Sequence, residues 1–142
     1  MKKALAVALV GALFAGFAMA QPYSIELDLD GVLGNGPDVV AAAVSDYIDV
    51  AVYTHGAGAG LISSNFTICN YDGSLEFQGY VDNIANLVTG WTITPPQAAA
   101  PGCYLMQATD FTFANPIGVF PFLNGVVTFH AAVDHSFDDL MI

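Results

Sequence analysis

Residues 61–80, LISSNFTICNYDGSLEFQGY, restrict the fold more than any other stretch of the chain. Phe66 and Ile68 fall on one side of an alternating segment, with Asn65 and Thr67 on the other. After a break, Leu75 and Phe77 face one way while Ser74, Glu76 and Gln78 face the other. A repeat of two marks a strand with one dry face. Asp72-Gly73 predicts a tight hairpin turn between the two strands, because Gly accepts the positive φ that such a connection needs. A lone hairpin is marginal in water, so other strands must cover its apolar side.

The remaining sequence supplies candidates in the same style. Ile25, Leu27 and Leu29 alternate with Glu26, Asp28 and Asp30, which predicts a strand with a dry face and an acidic wet one. Residues 31–37 read as a loop; 39–44, VVAAAV after Pro37-Asp38, suit either a short helix or, preferred here, a strand leading into Ser45-Asp46. In 47–54, Ile48, Val50 and Val52 point inward, with Tyr47, Asp49, Ala51 and Tyr53 outside. Residues 55–60, HGAGAG, form a turn. Residues 81–89 suit a short helical or irregular crossing. Residues 91–94 predict a brief strand stopped by Pro95-Pro96, followed by a loop at 97–102. A long strand is expected over 103–113, with Phe111 and Phe113 on one face. Residues 115–124 form an apolar loop, 127–133 a core strand with Thr128 and His130 outside, and 137–142 a closing strand. No helical stripe lasts more than two turns. The fold expected is all-β, a single antiparallel β-sandwich.

Residues 1–20, MKKALAVALVGALFAGFAMA, have the parts of a secretory signal peptide: Lys2 and Lys3, an apolar middle, and an Ala18-Met19-Ala20 cleavage site. The apolar run is short for a bilayer span. Domain organisation is therefore 1–20 signal peptide and 21–142 sandwich, with a secreted, extracellular or cell-surface location expected. The two lysines of the leader are the only Lys or Arg in the chain, so the 122 residues that remain keep all 13 acids and a formal charge of −13. Such a surface cannot displace phosphate counterions, which excludes nucleic acid and anionic membrane surfaces as partners. A protein partner with basic patches, or a neutral polysaccharide, is compatible with it. Hydrophobic content of 55% against 11% charged argues for a packed core over disorder.

The succession YIDVAVYT, SNFTICNYDGSLEFQGY and GVVTFHAAVD resembles the cohesin and carbohydrate-binding-module superfamily of secreted sandwiches, over residues 25–142. The resemblance implies a jelly-roll or cohesin-like sandwich of about eight or nine strands and a non-catalytic binding or scaffolding role. Gly73 stands where many relatives have Pro. The strand before it carries one extra residue at Cys69-Asn70, which predicts a bulge there. No partner-contacting residue carries over from the family.

Cys69 and Cys103 are the only cysteines, and in an exported chain they predict one disulfide. Alternation alone does not bring both sulfurs to one face, so the bulge near Asn70 is expected to turn one of them. Counting an EF-hand-type loop from Glu26 puts Gly31 at position 6, but Pro37 at position 12, where a carboxylate is required. The acids of this strand therefore read as a solvated face. A looser structural calcium site, joining Asp28 or Asp30 to Asp38 or to Asp134, Asp138 and Asp139, is the alternative left open; no other cofactor is expected. His130 and His135 are five apart, a spacing that suits neither strand nor helix zinc sites. There is no G-x-S-x-G, and no residue set identifies a reaction, so the chain reads as a non-enzyme, with a small secreted hydrolase as the third alternative. Exposed aromatics are the remaining candidates for binding: Tyr47 and Tyr53 on one outer face, and Tyr80 and Trp91 flanking the crossing segment. The expected function is a cohesin-like adhesion or assembly module. The alternative is a carbohydrate-binding module that uses the aromatic face.

Overall fold

A computed structural model describes residues 23–34, 41–56, 60–70, 73–132, 135–136 and 140–141. Its elements are β1 (Ser24–Asp28), β2 (Ala41–Ala42), β3 (Tyr47–His55), β4 (Ser63–Asn70), β5 (Leu75–Asp82), α1 (Ile84–Leu87), β6 (Thr92–Ala100), β7 (Cys103–Thr109), β8 (Phe122–Ala131), β9 (His135–Ser136) and β10 (Leu140–Met141). The first sheet has the order β1-β3-β8-β5 and the second β10-β4-β7-β6; β2 and β9 form a small ribbon. Neighbours pair antiparallel throughout. The all-β sandwich expected from the alternation is the fold.

Both sheets turn their dry faces inward. Ile48, Val50, Val52, Val127 and Phe129 of the first sheet meet Phe66, Ile68 and Met106 of the second. Rings bridge the layers: Phe77 stacks on Tyr104 with centroids 4.1 Å apart, and Phe66 meets Tyr80 edge-on at 6.0 Å. A second cluster of Ile84, Trp91, Ala108, Ile117 and Phe122 fills one end of the sandwich, under the connections there.

One polar group crosses the core. Asn124, with no accessible surface, accepts from Ser64 Oγ at 2.5 Å and donates to Thr54 Oγ1 at 2.8 Å and the Val52 carbonyl at 3.2 Å. Its own carbonyl accepts from the Tyr80 hydroxyl at 3.0 Å and the Asn83 N–H at 2.7 Å. A buried amide this well partnered fixes the relative position of the strands it joins.

Several expectations are corrected. β4 and β5 do not pair with each other: they lie in different sheets, so the expected hairpin is replaced by a passage between layers; Asp72 lies outside the described residues. Gly73 keeps the expected positive φ, 74°. The bulge foreseen at Cys69-Asn70 is absent, since β4 runs in unbroken register with β7 from Ser63 to Cys69. Pro95-Pro96 does not end a strand; β6 continues to Ala100, and the register shift between Thr94 and Gln97 leaves both prolines outside the ladder. An edge strand tolerates their missing N–H groups. β7 stops at Thr109, so Phe111 and Phe113 belong to a loop, and β8 begins at Phe122 within the expected 115–124 loop. Of the expected 39–44 strand, Ala41–Ala42 is a strand. The signal segment 1–20 lies outside the described residues.

Candidate functional site

Alternation along β3 and β8 decides which side chains reach the outer face of the first sheet. Inward positions hold the core, so Tyr47, Asp49, Ala51 and Tyr53 of β3 stand outward beside Thr128 and His130 of β8, in register with them. β5 adds Glu76, opposite His130, and Gly79, opposite Thr128.

These outward side chains are ordered by one another. Tyr47, 69% exposed, packs its ring on the His130 imidazole with centroids 5.0 Å apart. Nδ1 of His130 lies 3.1 Å from a Glu76 carboxylate oxygen. Thr128 Oγ1 donates to Asp49 Oδ1 at 2.6 Å. Towards β1, the half-buried Tyr53 faces Glu26 across the ladder, and the Glu26 carboxylate pairs with the His55 imidazole. The result is a row of aromatic, acidic and imidazole groups on a rigid sheet. Cations could approach Glu76 and Asp49, and flat apolar surfaces could lie on Tyr47.

Two of the four expected aromatics are not on this face. Trp91 is buried in the second core cluster, and its Nε1 donates to the Asn115 carbonyl at 2.8 Å. Tyr80 turns inward against Phe66, with its hydroxyl bonded inside. Burial pushes the Tyr80 hydroxyl well above the ordinary phenol range, and the Asp82 carboxylate beside it adds to the effect. The bulge between Phe77 and Gly79 explains the inward turn: one extra residue reverses the alternation in the second half of β5.

The calcium candidates divide. Asp28 is buried, and its Oδ1 accepts from the N–H groups of Asp30 (3.1 Å) and Gly31 (2.6 Å). Asp30 Oδ1 accepts from Val32 N at 2.8 Å, and Glu26 Oε1 from Gly34 N at 2.6 Å. The acidic strand face is thus not freely solvated, because its carboxylates hold the turn that follows it. Asp38, Asp134, Asp138 and Asp139 lie outside the described residues. Among the described residues, no three His, Cys, Asp or Glu side chains converge as a metal site would require.

Cys69 and Cys103 form the expected disulfide, from directly opposed positions of β4 and β7 with Cα atoms 4.1 Å apart. Opposed residues of an antiparallel pair share a face, so no reorienting bulge is needed. The bond fits an oxidising compartment. No helix among the described residues is long and apolar enough to cross a membrane, which leaves membrane-spanning strands unaddressed.

The 110–115 loop carries a group that periodicity did not single out. Asp110, fully buried, accepts from Thr112 Oγ1 (2.5 Å) and Thr112 N (2.9 Å) on Oδ1, and from Asn115 N (2.7 Å) on Oδ2. The Thr112 hydroxyl above all, then the Asn115 N–H, holds its carboxyl below the usual range, against the opposing effect of burial. On this braced loop Phe111 and Phe113 stand out into solvent, Phe113 with φ 59°. A bulky residue in the left-handed region costs about 1–3 kcal/mol. The D-x-T spacing is the only sequence sign of this turn.

No known family, curated protein or solved structure matches this chain. The sandwich, its disulfide and its outer sheet face are therefore what a functional reading must start from.

Proposed function

We propose that the chain is exported and acts outside the cell as a non-catalytic, cohesin-like binding or assembly module, with the outer face of the first sheet as its contact surface. The observation that carries this reading is the Tyr47–His130–Glu76 row. A tyrosine that remains 69% exposed, yet is steadied by a neighbouring ring on a rigid strand, loses little freedom on binding. Aromatic anchors of this kind dominate interface energies. The flanking carboxylates Glu76 and Asp49, in a chain without Lys or Arg beyond residue 3, favour a protein partner that presents basic side chains.

The second reading is a carbohydrate-binding module, favoured by Tyr47 and Tyr53 facing outward on one strand. Sugar rings stack on such faces without needing cations.

One set of variants separates the two readings. For a basic protein partner captured from the same secretome, Tyr47→Ala should weaken binding about tenfold or more. Glu76→Gln with Asp49→Asn should weaken it again, and high salt should release it. For a polysaccharide, retardation in affinity gels should be lost in Tyr47→Ala and Tyr53→Ala, while salt and Glu76→Gln leave it unchanged. Retention of both activities in Tyr47→Ala would remove this face from the function.

A further inference from the structure

The end of α1 and the connection leading into β8 wall a hollow of about 440 Å³. Ile117 and Phe122, both buried in the second core cluster, line it together with the half-buried Val88. Leu87 (47% exposed) and Val119 (79%) line it from the solvent side. No ionisable side chain is among the described residues around it. The polar groups of its walls are largely engaged with one another. Pro116 and Pro121 have no N–H to offer. Ile117 donates its N–H to the Leu61 carbonyl at 2.8 Å, and its own carbonyl accepts from Leu61 N at 2.7 Å. Val88 N donates to the Ile84 carbonyl at 3.0 Å. Asn83, the one polar side chain of the lining, donates to the Leu123 carbonyl at 3.1 Å and accepts from Asn86 Nδ2 at 3.3 Å.

We propose that this hollow is a binding site for a small, uncharged, mainly apolar molecule of the size of two or three fused rings. Volume sets the size: an apolar cavity of about 150 Å³ admits benzene, and ligand sites run from about 300 to 1,000 Å³. Hydrogen bonding sets the chemistry. A sugar or a peptide enclosed here would give up water from its polar groups and find few partners in exchange, a cost that an apolar molecule does not incur. The outer face of the second sheet is equally free of charge, but it is chemically different. Asn65 and Thr67 of β4 and Gln107 and Thr109 of β7 stand there, opposite the inward Phe66, Ile68, Met106 and Ala108, and present amides and hydroxyls. The hollow is also pre-formed. Asn83 N donates to the Asn124 carbonyl at 2.7 Å and so ties the start of α1 to β8, while the Leu61–Ile117 bridge holds the facing wall. A ligand therefore meets a fixed surface, which lowers the cost of ordering it. The site lies at the opposite end of β3 and β8 from Tyr47 and His130 and is independent of the contact surface assigned to the sheet face.

Equilibrium dialysis against naphthalene tests the proposal, on the full chain and in parallel on the chain from Gln21 onward, so that uptake by the apolar leader is recognised. The expected result is saturable binding of one molecule per chain in both. Backbone amide resonances should shift at Leu87, Val88, Gly118 and Val119 and stay in place along the outer strand faces. Val119→Asp and Leu87→Gln should each weaken binding about tenfold, the first by setting a carboxylate at the mouth and the second by removing apolar contact. Both side chains are exposed, so the far-ultraviolet spectrum should stay unchanged. Tyr47→Ala should leave naphthalene binding as it is, so this proposal and the one for the sheet face fail separately. Uptake that does not saturate up to the solubility of naphthalene overturns the proposal, as does binding by the full chain alone. Full affinity in both variants, or amide shifts at Phe111 and Phe113 in place of those four residues, overturns it too. A dimer in sedimentation whose formation excludes naphthalene overturns it in favour of a second copy as the occupant.

Discussion

Asp110 and Trp91 belong to one device. The carboxylate gathers the N–H groups of Thr112 and Asn115, and the Asn115 carbonyl then receives the indole N–H. A carboxyl held below its ordinary pKa in the folded state contributes stability that is complete above the unfolded value, about 4. That contribution is lost as pH falls through the lower folded value. Trp91 is the chain's single tryptophan, so its emission reports on this loop and the core cluster beneath it. Acidification below about pH 4 should shift that emission to the red, and Asp110→Asn should show much of the shift already at neutral pH. Superimposable acid titrations of the two proteins would show that the carboxylate does not hold the loop. At this scale the sequence is legible only in part. Tyr47 is outward as its strand's alternation requires. Trp91 and Tyr80 are inward because of a cluster beneath the connections and a bulge in β5, neither of which a repeat of two records.

Among the elements, β4 and β5 show what alternation does and does not specify. A hairpin sets two dry faces side by side, and a corner between layers sets them face to face, yet both give the same pattern of apolar residues. Here the corner prevails: Phe66 and Tyr80 meet across the core instead of along a ladder. The prolines of β6 mislead in another way, since they report a lost N–H and not whether a partner strand needed it. Gly125 shows close packing that composition hides: a side chain there would strike the Val81 carbonyl and the Tyr80 ring. The disulfide is the cross-link that sequence did foresee, and its position in the ladder gives its energetic effect. Its ends are 34 residues apart, and they pair one strand inside the edge of the second sheet. Closing a loop of that length restricts the unfolded chain and stabilises by about 3–4 kcal/mol in the chain-entropy model. Replacing both cysteines by Ala should lower the urea midpoint accordingly, with the strand-type far-ultraviolet spectrum retained. A loss of strand signal under native conditions would mean that the bond is required to form the sandwich and not only to stabilise it.

For the whole molecule, the absence of Lys and Arg beyond residue 3 makes the sign of its electrostatics unusually simple. In most proteins added salt screens attraction and repulsion together, and the net effect on stability can go either way. Here, in the formal count at pH 7 with neutral histidines, the charged side chains beyond residue 20 are all carboxylates, 13 of them. Folding draws them closer together than they sit in the expanded unfolded chain, so their mutual repulsion opposes the folded state. Screening weakens that opposition most for solvent-facing groups such as Glu76 and Asp49, and least for the enclosed Asp110. Raising sodium chloride from about 0.01 to 0.15 M shortens the Debye length from about 30 to 8 Å. The urea midpoint of the chain from Gln21 onward should therefore rise over this interval, with little change in the slope of unfolding free energy against urea. Most of the rise should come at the low-salt end, where screening changes fastest. A midpoint that falls as salt is added would mean that attractive pairs dominate.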